Sequence, residues 1–255
     1  MNKAATPYEF SILSVSTQEK IASRSLANSS DTDADTLKQL ANHDDFYVRR
    51  AVATHFNTPV TALKQLGNDV EEQIRFYLAA NPQTPVEALE TLALDESGDV
   101  RSQVAGNVRT PIKILEQLAN DSYTETLRQL AENRATPAEI LQKIGHQMLE
   151  TAADKTLSGL EAAVLRGISV NSNTPVAILE QICAIANPNN YNWLFPLGVA
   201  KNPQAPNYLL DKLASHDDYD VRFAVANNPS TPIFVLEKLA TDKEYSIRQT
   251  VANKI

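Results

Sequence analysis

The feature that most limits this chain is a recurrence. Its turn-forming and apolar residues return every 26 residues over the first half, with Thr58-Pro59, Thr84-Pro85, Thr110-Pro111 and Thr136-Pro137 in strict register. Thr6-Pro7 opens the series, and Thr32, followed by Asp33 instead of proline, keeps the phase. After longer steps the slot is filled again by Thr174-Pro175, Ala205-Pro206 and Thr231-Pro232. Self-similarity at such a period marks a repeat architecture, in which one short unit cannot bury its own apolar face and stacking does so. About nine units fit the chain.

Other positions recur in phase. Leu37, Leu63, Leu89, Leu115, Leu141, Leu179, Leu210 and Leu236 follow the threonine slot by five residues, and Leu40, Leu66, Leu92, Leu118, Ile144, Ile182, Leu213 and Leu239 come three further on. Leucines three apart share one helix face, and Thr-Pro reads as a helix start, the hydroxyl capping and the proline preset for the first turn. The glutamates of Thr84-Pro-Val-Glu87 and Thr136-Pro-Ala-Glu139 suit a capping box. This spacing predicts a first helix, A, of about ten residues. Aliphatics four apart, such as Val100 and Val104, predict a second helix, B, whose α or 3₁₀ character two positions cannot decide. Asp44, Asp69, Asp95, Asp121, Asp217 and Asp242 precede it as turn or capping residues. No stretch alternates with the period of two that a strand requires.

Two polar columns accompany the apolar ones. Arg49, Arg75, Arg101, Arg222 and Arg248 follow the first aliphatic of helix B, and Asn81, Asn107, Asn133, Asn171, Asn202 and Asn228 precede the next threonine slot by three residues. Recurrence in ordinary units predicts a structural ladder, with guanidinium groups meeting aspartates or carbonyls and asparagines satisfying backbone at tight turns. The combined pattern Asn-Pro-x-Thr-Pro-x-x-x-Leu-x-x-Leu-Ala-x-Asp followed by Val-Arg-x-x-Val-Ala, as in Asn81 to Ala105, resembles the leucine-rich repeat variant family. The Asp-x₅-Arg spacing of Asp69 to Arg75, Asp95 to Arg101 and Asp242 to Arg248 is also similar to HEAT-like repeats. The resemblance implies an all-α, right-handed superhelical solenoid of alternating α and 3₁₀ helices without strands. Some members of that family carry an N-terminal cysteine cluster for an iron–sulfur centre. Here the only cysteine is Cys183, so no cluster and no cofactor is expected.

The recurrence fails in one place. Successive starts lie 38 residues apart from Thr136 to Thr174 and 31 apart from Thr174 to Ala205, before the 26-residue step returns. Leu92 to Val100 spans 8 residues, whereas Ile144 to Val164 spans 20 and Ile182 to Phe195 spans 13. Both insertions therefore fall between helix A and helix B of adjacent units. The expected organisation is a single repeat domain, 1–255, with an N-terminal capping repeat at 1–31, regular repeats at 32–144, inserted repeats at 145–204 and C-terminal repeats at 205–255. Insertions in repeat proteins often map to a binding face. Met148, Leu149, Tyr191, Trp193 and Phe195 are the candidate partner-binding residues, Trp193 being the chain's only tryptophan.

Composition narrows the function classes. A net charge of −8 argues against a general phosphate-binding surface, so a nucleic-acid partner ranks below a protein partner and remains the HEAT-like alternative. His43, His55, His146 and His216 are scattered, read as surface residues and offer no metal-site spacing; His43 and His216 share the slot that elsewhere holds aspartate. With 7 glycines and no phosphate loop or nucleophile elbow, no catalytic residue is expected. The opening segment does not read as a signal peptide, and no apolar run approaches membrane-spanning length. The expectation is a cytoplasmic, non-enzymatic scaffold that binds a protein partner through its groove or through the inserted edge at 145–196.

Overall fold

The computed structural model describes residues 15–154, 156–185 and 194–255, and these hold seventeen α-helices and no strand. Helix α1 (Val15–Asn28) is followed by alternating A and B helices. The pairs are α2 (Ala34–Leu40) and α3 (Phe46–Thr54), α4 (Val60–Leu66) and α5 (Glu72–Ala80), α6 (Val86–Leu92) and α7 (Gly98–Gly106), and α8 (Ile112–Leu118) and α9 (Thr124–Glu132). Then come α10 (Ala138–Asp154) and α11 (Gly159–Val170), α12 (Val176–Ala184) and α13 (Leu194–Lys201), α14 (Asn207–Leu213) and α15 (Tyr219–Asn227), and α16 (Ile233–Leu239) and α17 (Tyr245–Ala252). Helix B is therefore α-helical throughout. No helix among the described residues is long and apolar enough to cross a membrane.

The chain divides into two compact units, Met1–Pro111 and Ile112–Ile255. Within each, B helices stack on B helices more closely than A on A, the arrangement of a helical solenoid. The in-phase aliphatics are the core: Leu37, Leu63, Leu89, Leu115, Leu141, Leu179 and Leu210 are fully buried, as are Val52, Leu78, Val104 and Val225 of the B helices. Regular A helices are only 7 residues long, shorter than the spacing predicts. Such a helix is unstable alone and depends on the buried leucine face.

The Thr-Pro slot works differently from the sequence expectation. Pro59, Pro85, Pro206 and Pro232, not the threonines, are the N-cap residues, with extended backbone and no side-chain cap. The threonine hydroxyl points backwards. Thr58 Oγ1 donates to the Val52 carbonyl at 2.6 Å, Thr110 to Val104 at 2.6 Å and Thr174 to Ile168 at 2.6 Å. Each of these carbonyls lies near the end of a B helix, where backbone acceptors run out of helical donors. The expected capping box fails for the same reason: Glu87 sits beyond a proline cap and pairs with Lys64 at 2.9 Å. Where proline is missing, Asp33 takes over as a true cap, accepting from the Thr36 N–H at 2.8 Å.

Candidate functional site

The recurring asparagines hold one repeat to the next. Asn107 Nδ2 donates to the carbonyls of Ala79 and Asn81 at 2.7 and 3.0 Å, while its Oδ1 accepts from the Arg109 N–H at 3.0 Å. Asn171, Asn202 and Asn228 repeat this three-bond arrangement in the second unit. Asn81 donates to Ala53 and accepts from Gln83, and Asn133 accepts from Ala135. These side chains are buried, so each bond replaces one that water would otherwise make.

The arginines form a second set. Arg49 closes a fork on Asp69 at 2.6 and 3.1 Å, and Arg75 closes one on Asp95 at 2.5 and 3.1 Å. Arg222 does the same with Asp242 at 2.7 and 3.2 Å. The Nη1 atoms of Arg49, Arg75, Arg101, Arg222 and Arg248 also donate to two carbonyls at the start of their own B helix. Burial pushes the Asp95 and Asp242 carboxyls up, but the forks of Arg75 and Arg222 with a backbone N–H outweigh it, so both sit below the ordinary carboxylate value. Asp45 is held low chiefly by the fork from Arg24.

Three of the histidines, His43, His55 and His216, are part of the same construction rather than free surface groups, while His146 on α10 is exposed as the sequence suggests. His55 occupies the asparagine slot and is buried; its Nδ1 accepts from the Asn57 N–H at 3.1 Å and its Nε2 faces the Ser29 carbonyl at 2.9 Å, as an asparagine amide would. His43 and His216 occupy the aspartate slot, and their Nδ1 atoms accept from Asp45 N at 2.9 Å and Asp218 N at 3.1 Å. Asp69, Asp95 and Asp242 accept from the same turn position. The chain places histidine in this slot where the preceding unit has Ser23 or Pro196 in its arginine slot, and aspartate where it has Arg49, Arg75, Arg101 or Arg222. A carboxylate with no cation would be costly at a part-buried turn, whereas an imidazole nitrogen supplies the acceptor without a negative charge.

The irregular units are built otherwise. The first insertion lengthens α10 to 17 residues and α11 to 12. Two glycines bring the B helices together: a Cβ on Gly167 would lie 2.9 Å from the Ala131 Cβ, and one on Gly198 would lie 2.8 Å from the Ser169 Cβ. The equivalent position holds Ala51, Tyr77, Gln103 or Ala224 in regular units. Beside this close approach lies a cavity of ≈ 760 Å³ on the B-helix face of the second unit. Ala131, Gly167, Val170, Leu194, Leu197 and Gly198 form its apolar wall, and Glu132, Arg134, Arg166 and Lys201 its charged rim.

Among the partner-binding candidates, Met148 is buried on α10, Leu149 is half-buried one residue on, and Phe195 on α13 is 1% exposed in the core slot of the usual aliphatic. Tyr191 and Trp193 lie outside the described residues. Residue 193 precedes Leu194, which lines the cavity. Sequence reasoning did not select Gly167 and Gly198, although a signal existed: they lie 31 residues apart, the step of that unit, in a chain with 7 glycines. Cys183 is a half-buried thiol whose ionisation burial pushes up to about 11, with Lys212 acting weakly the other way, so it is a poor nucleophile at neutral pH.

The leucine rich repeat variant family profile matches residues 72–97 and 219–244. Each match is one 26-residue period running from a B helix into the next A helix, one in each unit, so these repeats are of that type and the chain is a helical repeat protein. No curated protein matches the chain. Among solved structures, the crystal structure of an engineered protein aligns at 15% identity over 96% of this chain and 85% of its own, with a TM-score of 0.41, a likeness too loose to argue from.

Proposed function

We propose that this helical repeat protein is a non-enzymatic binding scaffold for a protein partner, and that the partner engages the second unit around the inserted repeats at 145–196. The observation that carries the reading is the ≈ 760 Å³ cavity where the regular ladder gives way. In the regular repeats the recurring polar side chains that could do chemistry are already engaged. His43, His55 and His216 serve backbone turns, and Asp95 and Asp242 receive arginine forks. Such groups stabilise the stack. A cytoplasmic setting suits a lone thiol such as Cys183. A nucleic-acid partner ranks second: Arg49, Arg75 and Arg222 are turned into carboxylates rather than displayed, and the net charge is −8.

The test is affinity capture from the source cell, comparing the intact chain with Trp193→Ala and with Lys201→Glu. At least one protein recovered by the intact chain should be lost or strongly reduced with either variant. Equal recovery by all three, with unchanged melting curves, would reject the location. Recovery of nucleic acid alone, released by salt, would favour the second reading.

A further inference from the structure

Resting on the scaffold reading, we propose that the cavity between α9, α11 and α13 takes an acidic, apolar peptide segment. Its apolar side chains would lie on Val170, Leu194 and Leu197, and its carboxylates would meet Arg134, Arg166 and Lys201.

Size is the first support. At ≈ 760 Å³ the cavity falls within the range of about 300–1,000 Å³ typical of ligand sites. Its wall is aliphatic, with glycine and alanine between the larger side chains. That surface suits leucine-like or phenylalanine-like side chains.

Charge is the second support. The chain carries 31 acidic and 23 basic residues, yet the rim of this cavity has three cations and one carboxylate. That carboxylate is already engaged: Glu132 binds Arg128 at 2.6 Å and stands 3.9 Å from Arg166. Arg128 also pairs with Glu125, so the Glu125–Arg128–Glu132 group is satisfied within α9. Arg166 keeps a half-exposed side chain, and Arg134 and Lys201 are exposed and make no ion pair among the described residues. In the regular repeats Arg49, Arg75 and Arg222 are drawn into forks, whereas this rim keeps a net positive charge on an acidic protein. Cations around an apolar floor complement a ligand that carries carboxylates beside apolar side chains.

The occupant can be tested with a random-peptide phage library panned on the full-length chain, followed by fluorescence polarisation of labelled synthetic copies of the enriched peptides. Enriched sequences should place Asp or Glu on either side of Leu, Ile or Phe. Affinity should fall about tenfold or more in the Arg166→Glu/Lys201→Glu double variant, and fall with rising salt. Leu197→Asp should weaken the same peptides, and circular dichroism should show each variant folded. A separate variant, Arg109→Glu, carries a charge reversal outside this cavity and should leave binding unchanged. Enrichment of basic peptides, no enrichment, or tighter binding of a single-stranded DNA oligonucleotide would overturn the proposal. Peptides that bind acidic-side-first but ignore all cavity variants would also overturn it, while leaving the scaffold reading intact. That reading falls only if affinity capture also fails to distinguish the variants.

Discussion

Within the first unit, successive B helices are tied by arginine forks: Arg24 to Asp45, Arg49 to Asp69 and Arg75 to Asp95. In the centre of the second unit, α9, α11 and α13 come together through Gly167 and Gly198 without such forks in the usual slot, which holds Leu127, Leu165 and Pro196. The two regions meet one requirement, keeping adjacent B helices in register, by different physics. A fork orients a turn through directional hydrogen bonds and works at ordinary separation. A glycine removes the side chain and lets backbones approach, so register comes from steric fit. The difference has a consequence for surface chemistry. Forks use up cations; glycine contacts leave Arg134, Arg166 and Lys201 at the surface beside apolar side chains.

This contrast can be attacked at several points, and the asparagine column, common to both regions, should give the largest effect. Asn202→Ala strands the Ser169 and Asn171 carbonyls and the Gln204 N–H, so thermal unfolding should report a loss of about 3 kcal/mol. An unchanged melting temperature would remove the column from the account. Arg75→Met, which leaves Asp95 buried without its cation, should cost on the order of 3 kcal/mol. The histidine substitution rule sharpens this: Asp95→His should cost less in an Arg75→Ser background than alone, with a coupling of about 1–2 kcal/mol in a double-mutant cycle. Additive effects would break the rule.

Next comes Gly198→Ala. Its Cβ would press on Ser169, giving an expected loss of about 1–3 kcal/mol, whereas Gly159→Ala meets nothing within 4 Å and serves as the neutral control. Equal melting of the two would show that close approach is not needed. Acid should separate the regions further. Asp45, Asp95 and Asp242 have carboxyls below their ordinary value, so the folded state binds fewer protons than the unfolded. Their contribution is therefore complete above the ordinary carboxylate pKa of about 4 and lost as pH falls below it. Replacing Asp95 by Asn should flatten that decline in stability below pH 4; a decline of unchanged slope would contradict the assignment. The smallest effect should be Thr84→Val, about 1 kcal/mol, from losing the hydroxyl bond to the Leu78 carbonyl at 2.5 Å.

How much of this was legible in the residues depends on how far each partner lies along the chain. The 26-residue period, the paired short helices, the leucine faces and the absence of strands among the described residues follow from local pattern, because helix periodicity and turn chemistry involve neighbours within a few residues. The place where repetition fails was legible too, since insertions change spacing directly. What tertiary structure decided lies at longer range or in direction. Thr58 could cap forward or bond backward, and only the fold, with Pro59 extended and the Val52 carbonyl within 2.6 Å, chooses. His55 became an asparagine equivalent because Ser29 stands 26 residues away in sequence and 2.9 Å away in space. The aromatic at 195 was drawn inward because its slot is a core slot, while Gly167 and Gly198, in phase in the sequence, shape the approach of three helices beside a cavity, which only the stacking of those helices reveals. Periodicity is written in local chemistry, but which face a side chain serves depends on what stacking brings opposite it.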